Sequence, residues 1–440
     1  MNPHYRKKVA FHTLGCKLNF AETSTIARSF PEDEFERVPA SQKADIYIIN
    51  TCSVTDVADR KCRQAIKKFI NRSPGAFIAV AGCYAQLNPE EIASIPGVDL
   101  VMGINERFDI AGYIKNFSGK GKAEIHSCEL SPADRFMHSW SAGDRTRSFL
   151  KVQDGCDYKC TYCTIPLARG KSRNPNIKTL VEEAELIAAS GVKEIVLTGV
   201  NTGDFGKSTG ESFTELLGEL IKVEGIERFR ISSIEPNLLT DGLIDMSSSE
   251  QRIMPHFHIP LQSGSDKILG LMRRRYNRDL FAGRIEQISK KIPLAGIGAD
   301  VIIGFPGESE ADFNDTYLFL KDMPLSYLHV FPFSERPGTI AATLPGKVSH
   351  QEKERRSRQL ISLSEEKAKG FRQHNAGRIT RVLFENVKHN GMISGFTENY
   401  IRAEYPWSAK LAGQIKTVRL TDISQSGNMN IELTENNDRL

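Results

Sequence analysis

Six of the eight cysteines in this 440-residue chain fall into two sets of three. Cys156, Cys160 and Cys163 form a tight C-x-x-x-C-x-x-C run. Cys16, Cys52 and Cys83 are far apart, but each closes an apolar run that reads as a β-strand. Three thiolates are an incomplete shell for structural zinc, which takes four nitrogen or sulfur ligands. No further His or Cys lies within about 17 residues of the tight run, so a fourth zinc ligand would have to be distant. Three thiolates suit an iron–sulfur cluster with one iron left open. Two such sets suggest two clusters, each with a free coordination position.

The elements that must hold these thiols can be read from periodicity. The first ~115 residues alternate strand and helix patterns, as in a parallel α/β domain. Strands are expected at 8–13, 45–50, 76–81 and 98–102, and helices at 19–30, 56–71 and 89–95. Cys16, Cys52 and Cys83 lie just past the carboxyl ends of the first three strands. In open parallel sheets ligands bind in the crevice outside those ends, so three distant thiols can converge there without a local motif. Cys62 on the second helix and Cys128 in a polar stretch sit at no strand end and read as bystanders.

The stretch 118–145 is polar and weakly periodic and reads as a linker between a domain at 1–117 and a core at 146–374. In the core, strands are expected at 149–152, 194–198, 228–233, 256–261, 299–303 and 327–331. Helical patterns separate most of them, which argues for a partial (β/α)6 barrel of parallel strands. The tight cysteine run is the loop after the first strand, at the functional end of such a barrel. A basic helix at about 351–373 leads to five short strands in 375–440, with a hairpin signal at Asn390-Gly391. That pattern is a small antiparallel β-barrel of a kind that often holds RNA, or a structural cap.

The net charge of +4 and 25% charged residues do not by themselves announce a nucleic-acid binder. Basic runs occur locally at Arg169/Lys171/Arg173, Arg273–Arg275 and Arg355/Arg356/Arg358. No apolar stretch approaches the roughly 20 residues of a membrane span, and the N-terminal residues show no signal-peptide pattern. A cytoplasmic, membrane-free protein with reduced cysteines is expected.

The segments TLGCKLN (13–19), NTCSVT (50–55), AGCYAQ (81–86), KVQDGCDYKCTYCTIPLARGKSR (151–173) and IGFPGE (303–308) resemble those of the radical S-adenosylmethionine (SAM) methylthiotransferases. The resemblance covers the whole chain. It implies an α/β multidomain protein: an N-terminal parallel, Rossmann-like domain, a radical SAM barrel and a C-terminal TRAM-like barrel. It implies a 4Fe-4S cluster on Cys156, Cys160 and Cys163 whose open iron binds SAM, and an auxiliary 4Fe-4S cluster on Cys16, Cys52 and Cys83 that handles sulfur. One SAM gives a methyl group and a second gives the radical, so no residue is assigned as a general acid or base. Tyr162, Thr198, Gly199, Glu235 and Gln262 are the implied SAM-binding positions, with Ser263, Gly304, Gly307 and Glu308 as weaker candidates.

Within the family the chain looks most like the branch acting on threonylcarbamoyl-adenosine tRNA, through 53–64, 297–308 and 327–339. Isopentenyl-adenosine tRNA and a ribosomal-protein aspartate are the alternatives; a redox-sensing RNA-binding protein is the non-enzymatic one. Expected partners are a tRNA anticodon stem-loop, a flavodoxin- or ferredoxin-type electron donor and a sulfur donor. The basic runs, with Arg402, Lys410, Lys416 and Arg419 of the terminal barrel, are the expected phosphate contacts. The substrate base is expected between the two open irons, at a domain interface.

Overall fold

The computed structural model describes residues 6–116, 121–131, 135–143 and 146–434. The linker reading therefore falls partly outside the described residues, at 118–120, 132–134, 144 and 145, as does the tail from 435. The chain forms two compact units: Met1–Asp144, Phe149–Pro175 and Ser334–Ala342 in the first, and Arg145–Ser148, Asn176–Phe333 and Thr343–Leu440 in the second. The loop with the tight cysteine run thus packs in the same unit as the dispersed trio.

The first unit is built on a six-stranded parallel sheet. Its strands are β1 (Lys7–Thr13), β2 (Phe35–Arg37), β3 (Ile46–Thr51), β4 (Phe77–Gly82), β5 (Leu100–Met102) and β6 (Glu124–His126), in the order β2-β1-β3-β4-β5-β6. Strands β3 and β4 are almost wholly buried, because helices cover both faces of a parallel sheet and both sets of alternating side chains turn inward. One face packs Tyr47, Ile49 and Val80 against Ile66 and Phe69 of α2 (Asp56–Arg72); the other packs Ile46, Ile48 and Ala79 with Ile26 of α1 (Lys17–Arg28). Helix α2 starts where sequence periodicity puts it, capped by Thr55 accepting from the Ala58 N–H. Strands β2 and β6 are not expected from the sequence. Both are only three residues long, and β6 lies in the stretch read as linker, where it pairs in parallel with β5.

In the second unit, β8 (Glu194–Thr198) and β9 (Arg228–Ile231) pair in parallel. Strands β10 (His256–His258), β11 (Gly296–Ile303) and β12 (Tyr327–Pro332) form a parallel sheet in that order. Helices alternate with these strands, so the expected parallel βα architecture is present. On β11 the residues Ile297, Ala299, Val301 and Ile303 are buried at 1% exposure or less, while Asp300 and Ile302 on the other face are half-buried. The unit ends in a closed barrel of β13 (Ile379–His389), β14 (Met392–Thr397), β15 (Arg402–Pro406), β16 (Ile415–Ile423) and β17 (Met429–Leu433), in the order β13-β14-β15-β17-β16. One pair, β15 with β17, is parallel rather than antiparallel. The β13–β14 hairpin turns on Asn390 and Gly391, both with positive φ (49° and 80°), as the Asn-Gly signal requires. The barrel interior is filled by Val382, Phe384, Ile393, Val418, Leu420 and Ile431. Among the described residues no helix is long and apolar enough to cross a membrane.

Candidate active site

None of the eight cysteines is in a disulfide. The tight trio belongs to a loop that closes on itself. After strand β7 (Ser148–Lys151), Asp154 and Arg173 exchange both backbone hydrogen bonds, Asp154 N–H to Arg173 O at 3.0 Å and the reverse at 2.9 Å. The Cys156 N–H donates to Gly170 O, and the Gln153 amide donates to the Asp154 and Gly155 carbonyls and to Ser172 Oγ. Gly155 (φ +69°) is required, since a Cβ there would stand 2.0 Å from Lys171 O. Within this clasp Cys156 Sγ accepts from the Tyr158 N–H, and the Cys163 N–H donates to Cys160 O. A short helix α4 (Ile165–Arg169, following α3, Cys83–Leu87) then carries the chain back to the clasp.

The dispersed trio sits where three neighbouring strands end. Cys16 is the N-cap of α1 after β1, Cys52 follows β3, and Cys83 opens α3 after β4. Gly15 (φ +105°) lets the first turn pass over the second cysteine: a Cβ on it would lie 2.5 Å from Cys52 Cβ and 2.9 Å from Cys52 Sγ. Asn19 locks these turns, donating to Leu14 O (2.8 Å) and Thr51 O (2.9 Å). Asn50 donates back to Asn19 O at 3.1 Å. Cys62 is buried and its thiol donates to Cys52 O at 3.4 Å, so it braces the trio rather than standing apart as a bystander. The three strand ends lie side by side, and Cys83 and Cys16 both act electrostatically on Cys52.

Both trios are tied to one buried charge network, and this the sequence did not reveal. Arg169 at the end of α4 is 1% exposed. Its guanidinium donates to Glu22 (3.0 Å), to Asn19 Oδ1 (2.8 Å) and to Asp154 Oδ1 (2.9 Å). Lys151 bridges the same two carboxylates at 3.0 and 2.7 Å, and Arg107 pairs with Glu22 at 2.5 Å. Burial alone would raise the Glu22 carboxyl, but Arg107, Arg169 and Lys151 hold it down at about 2. Three fully buried cations thus face two buried carboxylates, and Arg107 Nε has no hydrogen-bond acceptor among the described residues. Surplus buried positive charge needs an anion.

The thiols state the complementary need. Burial, then Cys83 and Cys16, push the Cys52 thiol well above its usual range. Burial of its thiol, then Cys83, likewise raises Cys16, although the residue keeps accessible surface, and Arg169 opposes the rise. Three thiols that repel one another as thiolates, beside surplus cations, fit a thiolate-bound iron–sulfur cluster of negative overall charge. A metal supplies the attraction that deprotonates them. The second basic anchor of this unit is Arg336, 4% exposed, which reaches Asp56 (2.7 Å), Asp59 (2.6 Å) and Ser53 Oγ (2.7 Å) beside Cys52.

Tyr162 lies half-buried in the tight loop of the first unit. Thr198, Gly199, Glu235 and Gln262 lie in the second unit, at or beyond the ends of β8, β9 and β10. Gln262 holds a positive φ of 68°, and its Oε1 is buried with no partner among the described residues. Glu235 is half-buried and ion-paired with Arg274; burial raises its carboxyl. Ser263 contacts Thr316 at 3.3 Å. Gly304 and Gly307 both have positive φ, and Glu308 accepts from the Gly304 N–H while pairing with Arg356, so its carboxylate braces the turn.

The basic runs need correction. Arg169, Arg274 and Arg356 are buried in ion pairs with Glu22, Glu235 and Glu308, so they are not phosphate contacts. A run of charges in sequence does not show that one member faces inward to a carboxylate far along the chain. On the terminal barrel, Arg402 is exposed but paired with Glu385 (3.1 Å), Lys410 is exposed in the loop after β15, and Arg419 donates to Gly377 O. Lys416 alternates in phase with the buried Val418 and Leu420, whereas Arg419 points the other way.

Residues 8–103 match the uncharacterized protein family UPF0004, and residues 150–320 match the radical SAM superfamily. The chain is 40% identical to the threonylcarbamoyladenosine tRNA methylthiotransferase MtaB of Bacillus subtilis, over 94% of this chain and 93% of that one. It is 31% identical to the tRNA-2-methylthio-N(6)-dimethylallyladenosine synthase of Syntrophotalea carbinolica, over 94% and 97% of the two chains. Its fold is similar to that of a radical S-adenosylmethionine methyltransferase, TsrM from Kitasatospora setae, solved with cobalamin and a 4Fe-4S cluster: TM-score 0.55, 13% identity, 77% of each chain covered.

Proposed function

This chain belongs to the radical SAM tRNA methylthiotransferases, and from that membership we propose that it adds a methylthio group to carbon-2 of N6-threonylcarbamoyladenosine at position 37 of tRNA. Membership of the radical SAM superfamily brings SAM and a 4Fe-4S cluster, which Cys156, Cys160 and Cys163 would hold. The second cluster would be held by Cys16, Cys52 and Cys83. When loaded, the two clusters and two SAM molecules supply the radical, the methyl group and the sulfur. The observation that carries the reading is the pairing of two three-thiol sites in one compact unit, joined by Arg169.

The chain's own residues bind and orient. The Asp154–Arg173 clasp fixes the spacing of the tight trio. Arg169 and Arg107 place fixed positive charge beside the dispersed trio, favouring thiolates. Tyr162, Thr198, Gly199, Glu235 and Gln262 are the proposed SAM contacts. The terminal barrel, with Arg402, Lys410, Lys416 and Arg419, is the proposed grip on the anticodon stem-loop. Electrons from a flavodoxin- or ferredoxin-type donor and a separate sulfur donor complete the cycle in the cytoplasm.

The choice of base rests on the relative at 40% identity, against 31% for the dimethylallyladenosine relative. Mass spectrometry of tRNA nucleosides from a deletion strain tests it. Loss of the methylthio form of threonylcarbamoyladenosine alone is expected. Loss of the methylthio dimethylallyl form instead would overturn the substrate, and no change in either would overturn the activity.

A further inference from the structure

The half-buried face of the β10–β12 sheet carries a group that the proposed chemistry does not use. In parallel register, His258 lies beside Gly298, and Asp300 lies beside His329. Side chains at paired positions of a sheet share a face. Asp300 Oδ1 is 2.8 Å from His258 Nε2 and 3.3 Å from His329 Nδ1. One ligand atom from each of the three residues lies within 4.8 Å of the others. Gly298 makes the arrangement possible: a Cβ there would stand 2.1 Å from the Tyr327 ring, which fills that space. The ring lies 6.3 Å from the His258 imidazole and 5.1 Å from that of His329, walling both in.

His258 and His329 both hydrogen-bond to the Asp300 carboxylate. Among the described residues no Lys or Arg pairs with it. Glu235, whose charge also acts on Asp300, is taken by Arg274. A largely enclosed carboxylate between two imidazoles, with no Lys or Arg on it among the described residues, suits a cation.

We propose that His258, Asp300 and His329 form a binding site for one divalent transition-metal ion. In a tetrahedral shell, ligand atoms about 2.0–2.2 Å from a zinc-like ion stand about 3.3–3.6 Å apart; here they are 2.8 Å and 3.3 Å apart for the two Asp–His pairs, with all three within 4.8 Å of one another. Two imidazoles and one carboxylate select zinc or iron-type ions over magnesium or calcium. Three protein ligands leave positions open, and the half-exposed His329 side chain (50%) puts them toward solvent. The inference is independent of the tRNA substrate.

The test is anaerobic calorimetric titration of Zn(II) into the cluster-loaded enzyme, with zinc K-edge absorption on the same sample. One zinc per chain is expected, with a nitrogen/oxygen shell showing imidazole scattering. His329→Ala and Asp300→Asn should each weaken binding at least tenfold, with iron content and circular dichroism unchanged. No stoichiometric zinc, a sulfur shell, or binding indifferent to both substitutions would overturn the site. The wild-type shell decides the matter even if a variant fails to fold.

Discussion

The loop at 154–173 and the edge of the β1–β3–β4 sheet each present three thiols, and they do so by opposite means. The tight trio is positioned by its own backbone: the Asp154–Arg173 clasp, the Gly155 turn and hydrogen bonds within a twenty-residue segment. The dispersed trio is positioned by the sheet, since Cys16, Cys52 and Cys83 meet only because β1, β3 and β4 are neighbours. A local site resists distant changes and fails as a whole when one ligand is lost. A tertiary site depends on every turn that brings its strands together. Arg169 is where the two dependencies meet, because one guanidinium reaches Asp154 of the first and Asn19 of the second.

The largest effect should come from the local site. Replacing Cys160 with Ala should abolish SAM cleavage, read as 5′-deoxyadenosine, and with it all methylthiolation. Next is the shared anchor. Arg169→Ala leaves Glu22 and Asp154 short of a buried partner and should destabilise the protein by about 3–5 kcal/mol in denaturant unfolding. If only one trio then lost iron, the coupling would be wrong. A third change separates the regions by pH. Glu22 titrates near 2 in the fold, below its unfolded value, so its contribution is complete above the unfolded pKa. That contribution, about 3 kcal/mol, should be lost as pH falls from about 4.5 toward 2. Glu22→Gln should remove that acid dependence in cluster-free protein. Smaller still, Gly15→Ala should cost about 1–2 kcal/mol in a positive-φ turn and lower iron at the dispersed site while sparing the tight one. Gly155→Ala should do the reverse.

These contrasts also explain what could be read from the sequence. The tight trio is legible as a group because its members and their spacing are local. The dispersed trio was legible because each member ends a clear strand, and parallel topology brings strand ends together. Arg169 was not, since its partner Glu22 lies 147 positions away; the motif placed it in a basic run that looked like surface. Strand β6 was missed because three residues with polar flanks give no period. The His258, Asp300 and His329 grouping was hidden because only the register of β10, β11 and β12 aligns them.

The central claim is that the two trios share a unit but divide the labour. Anaerobic single-turnover assays of a Cys52→Ala variant with SAM, reductant and tRNA test it most directly. The account predicts 5′-deoxyadenosine without methylthiolated nucleoside. Loss of both products, with iron retained on the tight trio, would contradict it.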